Sequence, residues 1–145
     1  MTVTVTDDPG DDPAAAGWQP IPVWEGFTQY VGPFWTRPSP RGTLLGLRAA
    51  PQHGNMHGVV HGGMLLTLAD TLMGIVAYEG TTGLRLVTIS LNGDFVGAGR
   101  IGDWIVGRAW AARRGSGMIF MQSEFAAGSR TVLTATGIWR NVGTG

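Results

Sequence analysis

One segment dominates what this chain can fold into. Met64 to Tyr78, MLLTLADTLMGIVAY, is apolar on nearly all sides and long enough for about four helical turns. A helix of that kind is a buried one, so the rest of the chain must wrap it. From Leu84 onward the sequence supplies the wrapping, because it turns to β-branched and aromatic runs separated by turn residues. Leu84 to Phe95, Asp103 to Ala112, Met118 to Phe125 and Thr131 to Arg140 are expected as four strands, and Thr43 to Ala50 as an earlier one that ends at Pro51. The breaks between the last four are too short for parallel crossovers, which makes neighbouring strands mostly antiparallel. The predicted class is α+β, a curved antiparallel sheet wrapped around one long central helix.

A chain of 145 residues has room for one such core and no second full domain. Residues 1–17 carry Asp7, Asp8, Asp11 and Asp12, no cation and no apolar run, and are expected to be a disordered acidic lead; residues 18–145 form the domain. Between Trp18 and Pro40 aromatics alternate with prolines, which suggests a short helical turn near Glu25 to Val31 inside an otherwise extended segment. Only 14% of residues are charged and 24 are Gly, so much of the surface is uncharged and part of it is expected to be covered by another subunit.

Composition also removes chemistries. All ten cations are Arg, and without Lys there is no Schiff base. Without Cys there is no thiol nucleophile, thiolate zinc site or disulfide. The arginines are too scattered to propose nucleic acid as a partner. No uninterrupted apolar stretch reaches the roughly 18 residues of a membrane span, so the expected location is cytoplasmic.

Within the helix, Thr67, Asp70, Thr71 and Gly74 fall at i, i+3, i+4 and i+7 and line one face. A charged, unpaired carboxylate on an apolar rod costs several kcal/mol, so Asp70 needs donors, water or a raised pKa. It is either a structural Asp bonded to a neighbouring Thr or backbone group, or a general base in a cleft. Just before the helix, His61-Gly62-Gly63 presents no Ser, Thr, Asp or Asn as N-cap, which leaves the first N–H groups without an obvious side-chain acceptor. Free N–H groups at a helix start attract anions, and the glycines would let a carbonyl approach closely; the same pair also simply makes a tight turn.

Gly62 and Asp70 are eight residues apart, or about 12 Å along one helix. A single reacting centre needs both within about 3 Å. Two antiparallel helices related by a two-fold axis would bring Asp70 of one copy to Gly62 of the other, so a homodimer with two shared sites is expected.

Asn55, His61-Gly62-Gly63 and Asp70 at this spacing, followed by Val87-Thr88-Ile89-Ser90-Leu91 and a last strand with Gly137 and Trp139, resemble the hotdog-fold acyl-CoA thioesterases of the PaaI-like branch. Gly32-Pro33-Phe34-Trp35 is similar to a lead-in found in bacterial members. The resemblance implies a hotdog fold over about residues 30–142 and hydrolysis of a coenzyme A thioester. It implies Asp70 as general base or nucleophile, Gly62 as the oxyanion-hole amide and His61 as the residue that orients that turn. It further implies that Asn55 positions the carbonyl or the water, and that Thr88 aids the water from the same subunit as Asp70. It implies no metal and no cofactor beyond the coenzyme A of the substrate, and dimers that pair into tetramers.

The turn Arg113-Arg114-Gly115-Ser116 is the best cationic candidate to meet the coenzyme's phosphates, beside Gly63 at the acyl end; a solvated hairpin is the plainer reading of the same residues. His53, His57 and His61, at i, i+4 and i+8, would suggest zinc on a helix, but Gly54, Gly58 and Val59-Val60 disfavour that helix, so no metal is expected. A non-catalytic acyl-CoA or lipid binder is the rival reading.

Overall fold

The computed structural model describes residues 8–22 and 25–144. The central feature is a seven-stranded antiparallel sheet in the order β1-β2-β3-β5-β6-β7-β4, curved around the 17-residue helix α2, Gly62–Tyr78. The five long strands are β3 (Leu44–Arg48), β4 (Leu84–Asp94), β5 (Trp104–Arg114), β6 (Met118–Ala127) and β7 (Arg130–Thr144). Two short ones, β1 (Gln19–Pro20) and β2 (Trp35–Arg37), extend the sheet beyond β3 on either side of the one-turn helix α1, Phe27–Val31.

Helix α2 buries Met64, Leu65, Leu68, Ala69, Leu72, Met73, Val76 and Ala77 against the concave face of the sheet. Each large apolar side chain removed from water there contributes about 1.5–3 kcal/mol. The helix is not covered all round, however. Leu66, Thr67, Asp70, Thr71, Gly74 and Ile75 remain half-buried in the isolated chain, so the polar stripe forms an open face.

Two glycines within strands make close packing possible. A Cβ on Gly107 would lie 2.2 Å from the Phe125 ring, and one on Gly137 would lie 2.5 Å from the Trp139 ring. Both aromatics therefore lie flat on neighbouring backbone and face the helix.

The convex face carries its own cluster of Trp18, Leu44, Trp104, Val106 and Ala126. Trp18 meets Trp104 edge-to-face at 5.1 Å, and Arg37 and Arg48 stack over these two rings. This packing corrects the expectation of a disordered lead over residues 1–17, of which 1–7 lie outside the described residues. Residues 8–17 are folded onto the sheet, because Arg48 donates to the Asp8 carboxylate at 2.7 Å and to Gly10 O at 2.8 Å, and Pro13 is buried. The Arg48 guanidinium holds the Asp8 carboxyl below the usual Asp range.

Candidate active site

The loop before α2 is a small hairpin, with Gly54 bridged to Val60 and Val59 bridged to Arg100. Asn55 shapes it: Oδ1 accepts from the N–H groups of His57 at 2.9 Å and Val59 at 3.3 Å. This carboxamide oxygen is committed to the loop, which leaves Nδ2 as the group Asn55 can offer outward. His53 fastens the loop from below. Its Nδ1 accepts from Ala50 N–H at 2.9 Å, its Nε2–H donates to Val31 O at 2.7 Å, and its carbonyl accepts from His61 N–H at 2.8 Å. Both imidazole nitrogens of His53 are thus used structurally. Among the described residues, no group of three His, Cys, Asp or Glu is arranged around a common point.

The helix start differs from the sequence expectation in one respect. His61 is the N-cap, and its Nδ1 accepts from Gly63 N–H at 2.8 Å. Its carbonyl takes the N–H groups of Met64 at 2.9 Å and Leu65 at 3.2 Å. An imidazole does here what a hydroxyl or carboxylate usually does. The Gly63 amide is therefore occupied, whereas among the described residues none accepts from Gly62 N–H. One turn's worth of donors is satisfied except the one that the resemblance implies is used in chemistry.

Further along the same helix, Thr67 and Thr71 turn their hydroxyls back to the i−4 carbonyls of Gly63 and Thr67, each at 2.8 Å. They have no hydroxyl to spare for Asp70. Instead Thr88, on β4, donates to Asp70 Oδ1 at 2.7 Å within one chain. The second carboxylate oxygen has no partner among the described residues. A half-buried carboxylate aimed by one hydroxyl and open on the other side can accept a proton. The structure thus brings Asp70 and Thr88 together and sets His61 and Gly62 at the helix start, with Asn55 in the loop before it; within one chain Gly62 and Asp70 stay about 12 Å apart.

A cleft of 680 Å³ opens beside Thr71, Gly74, Ile75 and Tyr78 and is closed by Ile21 and Pro22 of the N-terminal segment. It starts at Thr71, the residue after Asp70, and continues along the helix to Tyr78. Tyr78 closes the row of helix residues that line it, whereas Met73 of the same helix is fully buried in the core.

Arg114 is placed differently from what a phosphate contact requires. Strand β5 extends through it, past a register shift between Ala111 and Arg113, and its guanidinium donates to Val76 O at 2.9 Å and Ala77 O at 3.0 Å. It closes the C-terminal end of α2, where cations and donors stabilise a helix. Arg113 and Ser116 are exposed at the hairpin tip.

Comparison with known proteins places the chain in a family. The sequence profile of the thioesterase superfamily matches residues 57–134. The chain is 33% identical over 125 residues to a Pseudomonas aeruginosa protein, PA0474, to which an esterase role is ascribed, covering 85% of this chain and 93% of that one. In fold it is similar to the Bacillus halodurans protein BH2602, solved with coenzyme A, at a TM-score of 0.69 and 26% identity over 76% of this chain and 74% of that one. It is also similar to the Escherichia coli PaaI protein of the phenylacetic acid degradation operon, at a TM-score of 0.63 and 25% identity over 70% and 73% of the two chains. With an antiparallel sheet around one long helix and this match, the chain belongs to the thioesterase superfamily: it is a hotdog-fold thioester hydrolase of the PaaI-like type.

Proposed function

We propose that this protein hydrolyses acyl-coenzyme A thioesters at a site shared between two copies of the chain. The observation that carries the reading is the pair of half-sites on one helix: a carboxylate aimed by Thr88 and an unpartnered Gly62 amide, each lacking what the other provides. Two further features favour a second copy. The Asp70 face of α2 is only half-covered, and the 11-residue strand β4 is an edge strand with Ile89 48% exposed, a long unpaired edge that a monomer would ordinarily blunt.

In this mechanism the thioester carbonyl approaches Gly62, whose N–H donates to the oxygen as it becomes an alkoxide. Asp70 of the other copy takes a proton from water, and the resulting hydroxide adds to the carbonyl carbon; the tetrahedral intermediate then collapses and expels the thiolate. Direct attack by the carboxylate, followed by hydrolysis of the anhydride, uses the same geometry. An oriented base and an oxyanion donor are each worth about 10² to 10³ in rate, which suffices for an already activated ester. Asn55 offers its Nδ2 to the carbonyl or the water, and His61 holds the turn. Gly63 allows close approach beside Gly62. The 680 Å³ cleft is of a size that suits an acyl group, and its lining is mainly apolar. Exposed Arg113 and Ser116 are the hairpin groups available to the coenzyme's phosphates, and Arg114 serves the helix.

The test is thiol release from a panel of aryl-acetyl, short, medium and long-chain coenzyme A thioesters, with Asp70→Asn in parallel. Turnover is expected in the unmodified protein and a fall of at least about 10²-fold in the variant. Acyl-CoA binding without turnover on any ester would favour the non-catalytic binder. The mass of the same preparation by light scattering distinguishes a dimer from a pair of dimers.

A further inference from the structure

Strand β4 runs antiparallel to α2 and meets it along its length, beginning with Leu86, whose N–H donates to the Tyr78 hydroxyl at 2.7 Å. Thr88 bonds Asp70 at 2.7 Å. At Gly93, a Cβ would come within 2.7 Å of the Leu66 side-chain end, so strand and helix approach closely there. At its end, the Phe95 ring lies against Gly62, with two ring carbons 3.2 Å from the position a Gly62 Cβ would occupy. The strand and the residue just past it therefore attend both half-sites, a hydroxyl at the carboxylate and a phenyl ring beside Gly62.

Phe95 has no place in the core. It is 52% exposed in the single chain, in a segment where Val96 is also exposed. An aromatic ring left in water beside Gly62, whose N–H has no acceptor among the described residues, is unaccounted for by packing alone. Its position gives it a function: with a ring against one side of Gly62, water has less access to the amide, and a hydrogen bond made there acts in a lower dielectric.

Resting on the shared-site reading above, we propose that Phe95 is the positioning residue of the oxyanion site, the counterpart, just past β4, of Thr88 at the carboxylate. It forms the apolar wall that keeps the Gly62 N–H dry and directs the thioester carbonyl onto it. Because this bond strengthens as charge develops on the oxygen, the wall acts on kcat more than on KM.

The test compares Phe95→Ala, Phe95→Leu and Phe95→Tyr with Asp70→Asn, using coenzyme A thioesters, thermal melting and light scattering. Phe95→Ala is expected to lower kcat roughly tenfold, a fraction of what loss of a whole oxyanion donor costs, with KM changed less than about threefold and mass unchanged. Phe95→Tyr, which keeps the ring, restores most of the rate, while Phe95→Leu lies between. A wild-type kcat in Phe95→Ala, with Asp70→Asn inactive, would overturn the proposal and leave the shared site standing. A rate loss that tracks a fall in Tm or in mass and is not rescued by Tyr would overturn it as well, since the ring would then be structural. An Asp70→Asn variant as active as the unmodified protein would overturn the underlying reading and this proposal with it.

Discussion

The two ends of helix α2 are finished in opposite ways. At the C-terminal end, Arg114 closes the carbonyls of Val76 and Ala77, and Glu79 N–H returns to Ile75 and Val76. At the N-terminal end, His61 takes the Gly63 amide, and Gly62 is left open under Phe95. A helix gains stability from closing its orphan groups, so a closed end needs no functional explanation. An end that is capped with care at one amide and left open at the next differs in kind: the cap fixes the direction of the free donor. On the proposed reading, stability is served at one end and chemistry at the other.

That contrast can be broken by exchanging the consequences. Gly62→Val has the largest expected effect, because its side chain must displace the Phe95 ring and cover the amide; kcat should fall by about 10² or more while the fold and the dimer persist, as checked by kinetics and circular dichroism. Arg114→Ala should act at the other end. Loss of two charge-assisted bonds is expected to destabilise by about 1–3 kcal/mol, a drop of several degrees in Tm, with KM for coenzyme A thioesters little changed. Arg113→Ala should do the reverse on a smaller scale, raising KM for coenzyme A thioesters over short thioesters without the nucleotide and leaving Tm alone. A KM effect as large for Arg114→Ala as for Arg113→Ala would erase the contrast.

Much of the fold was legible because hydrophobic period and turn chemistry are local signals. The central helix and the five long strands were visible to within a few residues. Strands β1 and β2 were not, since two or three residues flanked by Pro20, Pro22 and Pro38 have no period to read. Gly107 and Gly137 fall inside expected strands, but their role as seats for rings that lie on neighbouring backbone is a relation that no local pattern encodes. The site divided in the same way. His61, Gly62, Asn55 and Asp70 sit in one short stretch whose spacing carries the resemblance, whereas Arg114 joins a helix end 37 and 38 residues earlier and reads in sequence as a surface turn. Phe95 closes a predicted strand, but nothing in the sequence links it to a glycine 33 positions before it. The His61 cap escaped notice because imidazole is rarely the acceptor at that position.

The account's central claim is that the two half-sites belong to different copies, and heterodimer complementation tests it most directly. Asp70→Asn and Gly62→Val chains, each carrying a different affinity tag, are mixed and the doubly tagged heterodimer is isolated. A shared site predicts one intact constellation per heterodimer and recovery of about half the unmodified activity from two inactive parents. A confirmed heterodimer no more active than either parent would contradict it.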